Sequence, residues 1–79
     1  MSEQYRSETP RAAMNRFLHH LTRSTHLLTA DIELEEARTG VRDLKNPAYS
    51  TLARNLRARR DNLVATIAML EASAPAKAA

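Results

Sequence analysis

The stretch Gly40-Val41-Arg42-Asp43-Leu44-Lys45-Asn46-Pro47 decides the fold. It separates two long helical patterns and is short enough to force them into antiparallel neighbours. Gly just past a helix end can take the left-handed conformation that closes the last carbonyls, so Gly40 reads as a stop. Asn46-Pro47 reads as a restart, with Asn as cap and Pro at the first helical position, where its missing N–H is no loss. Upstream, Thr9-Pro10 carries the same start signal.

These marks predict an all-α antiparallel helical hairpin: helix 10–39, turn 40–46, helix 47–72. Residues 1–8 read as a flexible arm. Ser73-Ala74-Pro75 ends the second helix, because the residue before Pro is biased away from helix, and 74–79 read as a flexible tail.

Placing residues 100° apart gathers Met14, Leu18, Leu21, Thr25, Leu28 and Ile32 into one stripe of the first helix, with Phe17 at its edge. The second helix has a matching stripe of Tyr49, Leu52, Leu56, Leu63, Ile67 and Leu70. Val41 and Leu44 are expected to tuck under the turn. The spacing is heptad-like and shows no strand alternation.

More apolar surface remains than two helices can hide from water. From Leu63 to Ala72 the second helix is apolar on nearly every side, with only Thr66 and Glu71 breaking the run, and a helix of that kind is normally covered all round. Antiparallel pairing sets it beside Met14, Phe17 and Leu18, making the open end the greasier end. Leu27 and Leu34, seven apart, form a thinner seam on the back of the first helix.

At 79 residues with no cysteine, the chain has neither the core nor the disulfides that usually stabilise a small domain. Self-association into a four-helix bundle is therefore expected, as a homodimer or higher. The interface candidates are Met14, Phe17, Leu18, Leu27, Leu34, Val64, Met69 and Leu70.

The formal charge is +3, with 12 basic residues against 9 acidic, and ten of the basic residues are Arg. Arg54, Arg57, Arg59 and Arg60 fall within two helical turns. Arg54 and Arg57 read as outward-pointing, and such forks suit phosphate. The same cluster lies alongside the acidic segment Asp31, Glu33, Glu35 and Glu36 in an antiparallel hairpin, so mutual pairing is the expected role. Arg59 and Arg60 flank the apolar stripe midway. With Asp31 of the same chain, or a carboxylate of a second copy, they form a candidate polar layer that fixes register and oligomeric state.

Catalysis finds little footing. There is no cysteine nucleophile, no Gly-rich phosphate loop and no nucleophile elbow, and Ser24, Thr25 and His26 point about 100° apart on a helix. His19 and His26 are seven apart with Arg23 between them, and His20 faces elsewhere, so surface histidines are expected and no metal or cofactor. No run of about 18 apolar residues spans a membrane, and a surface-lying helix would want Trp or Phe opposite a basic face. With no apolar signal core near Met1 and no cysteines, a cytoplasmic setting is the expectation.

The function expected is a non-enzymatic interaction protein: an adaptor, anti-activator or assembly factor that self-associates and binds another protein. The alternative is an RNA- or DNA-binding hairpin dimer using Arg54 and Arg57. In architecture this reading resembles the small plasmid-copy-number proteins, which dimerise as helical hairpins and grip paired RNA loops.

Overall fold

The computed structural model describes residues 9–73; the expected arm (1–8) and tail (74–79) lie outside them. Among the described residues there are two helices, α1 (Pro10–Thr39) and α2 (Thr51–Ala72), packed antiparallel as a hairpin. Among the described residues no helix is long and apolar enough to cross a membrane.

The first start signal works as the sequence implies. Thr9 is extended, its hydroxyl accepts from the Ala12 amide at 3.0 Å, and Pro10 follows at the first helical position. The stop signal works too. Gly40 sits at φ 75°, and its N–H donates to the Glu36 carbonyl at 2.8 Å.

The second start is displaced: α2 begins at Thr51, not at Pro47. Asn46 and Pro47 instead build a β-turn, in which the Tyr49 amide donates to the Asn46 carbonyl at 2.9 Å. The Asn46 side chain meanwhile accepts from the Ala48 amide at 2.8 Å. Asn and Pro serve turns as well as they serve caps, and here the turn wins. Ser50 supplies the real cap, its hydroxyl accepting from the Ala53 amide at 3.1 Å.

The displaced start leaves the phase of α2 from Leu56 onward as expected and changes only the first members of the stripe. Tyr49 is buried but sits in the turn, so the helical period does not run through it. The inward stripe is Ala53, Leu56, Arg60, Leu63, Ile67 and Leu70, spaced 3-4-3-4-3. Leu52, expected inside, is exposed, and Ala53 takes the fully buried position. On α1 the expected stripe holds: Leu21, Thr25, Leu28 and Ile32 are buried, while Met14 and Leu18 are half-buried.

The core is therefore concentrated at the closed end, from Leu21 to the turn. No side chain of the apolar run Leu63–Ala72 is buried within the single chain, and Val64 and Met69 are exposed. Of the two residues expected under the turn, Val41 is half-buried and Leu44 remains exposed.

Candidate interaction face

Two arrangements stand out, one at the closed end and one along a flank. The first begins with the buried carboxylate of Glu36. The Tyr49 hydroxyl donates to its Oε2 at 2.6 Å and one Arg57 guanidinium nitrogen donates to the same oxygen at 2.7 Å. Arg57 Nε donates to the Tyr49 oxygen at 2.7 Å, closing a triangle, and Arg42 reaches Glu36 Oε1 at 3.4 Å.

Beside it, Glu35 accepts from both Arg38 nitrogens at 3.0 and 2.7 Å and from the Ser50 hydroxyl at 2.5 Å. Arg54 stacks 5.3 Å from the Tyr49 ring centre and donates to the Leu44 carbonyl at 3.2 Å. No buried side-chain nitrogen or oxygen among the described residues lacks a partner. These bonds favour the ionised carboxylates. Arg38 and then Ser50 hold the Glu35 pKa at about 2, and Tyr49 and then Arg57 lower that of Glu36. Glu36 in turn raises Arg57.

The cluster is structural in kind. The acceptors Glu35 and Glu36 and the Tyr49 ring are buried, Arg38 and Arg42 reach them from exposed positions, and the bonds tie α1, the turn and the first turns of α2 together. Arg57 was expected to project outward; it points to Glu36 because Tyr49 and Glu36 form a paired acceptor within its reach. The pairing of the Arg cluster with the acidic segment is thus present at Glu36–Arg57. Tyr49 and Ser50 are the partners that periodicity hid, since it counts Tyr as apolar and ignores its polar tip. Both Arg54 and Arg57 are engaged inside the hairpin.

The second arrangement is the flank. Here α1 and α2 leave two open hollows, one lined by Asp31, Leu34, Glu35, Arg38, Leu52 and Leu56, the other by Ser24, Leu27, Leu28, Arg59 and Leu63. Phe17 stands seven residues before Ser24 and so continues the same side of α1. Exposure is high for such apolar residues: Phe17 49%, Leu27 59%, Leu34 70% and Leu52 54%. The back seam of Leu27 and Leu34 therefore belongs to a two-helix surface, which Leu52 completes. Leu52, which its spacing assigns to the inward stripe, faces this surface instead.

The polar-layer residues separate. Arg60 enters the helix–helix seam and donates to the Thr29 hydroxyl at 3.0 Å, while Thr29 donates to the Thr25 carbonyl at 3.0 Å. Arg59 and Asp31 stay on the flank, one in each hollow, and neither side chain makes a hydrogen bond or ion pair among the described residues. Met14, Leu18 and Leu70 are half-buried between the helices, whereas Val64, seven after Arg57, stands on the opposite side from Leu52.

His19, His20 and His26 are all exposed, and His20 borders a third hollow with Ala13, Arg16 and Phe17. Among the described residues no three His, Asp or Glu side chains converge as a metal site would require. Comparison with protein-family models, with curated proteins and with solved structures found no match for this chain.

Proposed function

We propose that this protein is a small non-enzymatic interaction module that self-associates into a four-helix bundle and, as an assembly, binds another protein. The observation that carries the reading is the flank, where Leu27, Leu34 and Leu52 are each more than half exposed on one two-helix surface. Scattered single leucines need no explanation, but contiguous ones across two helices mark an interaction site. Each large apolar side chain removed from water contributes roughly 1.5–3 kcal/mol, which is the scale needed against an association cost of roughly 4–15 kcal/mol.

Val64 and Met69, exposed at the open end and outside the flank, are the positions proposed for the partner protein. An adaptor, anti-activator or assembly factor needs nothing more than such a surface. Phosphate recognition draws no support from the geometry at Arg57, whose fork is directed at Glu36 and Tyr49.

The test pairs Leu27→Asp with Leu34→Asp in one protein. Size-exclusion chromatography should show a dimeric wild type and a monomeric variant, and circular dichroism should show the same helix content in both. A wild type that elutes as the variant does would remove the basis of this reading.

A further inference from the structure

We infer that two copies of this chain pack flank to flank with their hairpins pointing the same way, so that Asp31 of each pairs with Arg59 of the other. The inference rests on the self-association reading above and adds to it the face, the direction and the pairing.

The register within the hairpin supplies the argument. Arg59 lies at the level of Leu28, and Leu56 at the level of Asp31, because each pair borders a common hollow. Asp31 is three residues beyond Leu28, so Asp31 and Arg59 are offset by only about 4.5 Å along the helix axis at ~1.5 Å per residue. A two-fold axis parallel to the helices sets α1 of one copy against α2 of the other at equal height.

Leu34 then meets Leu52 of the partner subunit, and Ser24 meets Leu63 of the partner subunit. Asp31 comes within one helical turn of Arg59 of the partner subunit, within reach of a guanidinium on its long stem. Every neighbouring pair of helices is antiparallel.

The competing arrangement uses a two-fold axis perpendicular to the helices and sets α1 against α1. Centred on Leu27, near the middle of the seam, it brings Arg59 close to Arg59 of the partner subunit and leaves Asp31 opposite Ser24 of the partner subunit. Like charges then face each other inside an apolar surface, which disfavours that arrangement. Charge complementarity thus selects the first.

The flank also has adequate size. From Phe17 to Leu34 it runs about 26 Å, and two helices about 10 Å apart make it about 20 Å wide. That gives about 500 Å² of face per copy, or about 1,000 Å² for the pair, the lower bound for a specific interface. A dissociation constant in the micromolar range is the corresponding expectation.

Charge reversal and cross-linking test this together. Asp31→Arg and Arg59→Asp should each weaken the dimer roughly 30-fold or more by sedimentation. The double variant should return to near wild-type affinity. Separately, Leu34→Cys protein mixed with Leu52→Cys protein should form a disulfide-linked heterodimer under mild oxidation, with little product from either alone.

Two results overturn the inference while leaving self-association standing: a dimer indifferent to both reversals, or rapid cross-linking of Leu27→Cys protein with itself and none in the mixture. A chain that sediments as a monomer and cross-links in no combination overturns self-association as well. All five side chains are on the surface of the single hairpin, so helix content by circular dichroism should remain that of the wild type throughout.

Discussion

The Tyr49 hydroxyl donates to the Glu36 carboxylate at 2.6 Å across the closed end of the hairpin, and Arg57 binds both of them. A fold with few buried leucines thereby gains a polar lock where its two helices meet. The lock is close enough to form one cooperative unit, so its members should not behave independently.

Replacing Tyr49 by Phe keeps the ring and its packing but removes the donor to Glu36 and the acceptor for Arg57. The expected loss is about 1–3 kcal/mol in urea unfolding. Arg57→Met on top of Tyr49→Phe should cost much less than the two changes measured separately, since the triangle is already broken. Strict additivity would mean that the three groups act independently.

Acid should weaken the hairpin over a defined window. The pKa of Glu35 falls from 4.5 in its ordinary state to about 2 in the fold, and that of Glu36 is lowered too. A depressed carboxylate lends its full stability above the unfolded value and loses it as pH falls towards the folded one. Thermal melts should therefore show Tm dropping between pH 4.5 and about 2. Arg38→Ala should shrink the contribution of Glu35 to that drop. A Tm that is flat across this window contradicts the role given to both glutamates.

The displaced start of α2 can be checked by its cap. Ser50→Ala removes the acceptor for the Ala53 amide and one donor to Glu35, with an expected cost of about 0.5–2 kcal/mol. Amide exchange at Ala53 should speed up. If Asn46→Ala instead exposes the first turn of α2 and Ser50→Ala does not, the helix starts at the proline after all.

Gly40 tests the other end of the turn. A Cβ added there meets nothing within 4 Å, so only the positive φ opposes a side chain. Gly40→Ala should cost about 1 kcal/mol, and Gly40→Asn less, because Asn tolerates the left-handed region. Equal costs for the two would point to something other than backbone conformation.

Much of this was legible in the residues themselves. The first cap, the glycine stop and the inward stripe of α1 follow from local chemistry, which tertiary packing had no reason to override. Asn46-Pro47 did not give up its meaning so easily, because the same dipeptide serves a turn or a cap and the choice depends on Ser50 lying three residues before Ala53. Leu52 lies in the helix with either start; it is exposed because Ala53, at 0% exposure, takes the inward position one turn before Leu56. The triangle at Glu36 was half visible: charge and antiparallel register implied an Arg–Glu contact, but only three-dimensional placement brings the Tyr49 hydroxyl into it. The flank was visible as Leu27 and Leu34, without its α2 half.

Sedimentation equilibrium of the wild-type protein across a range of concentrations decides whether a second copy covers the exposed leucine flank. The mass should rise from that of the 8.9 kDa chain to twice that value as the protein passes through micromolar concentration. Leu27→Asp with Leu34→Asp should hold the mass at the lower value. A cooperatively folded wild type that stays at the single-chain mass at every concentration would contradict it.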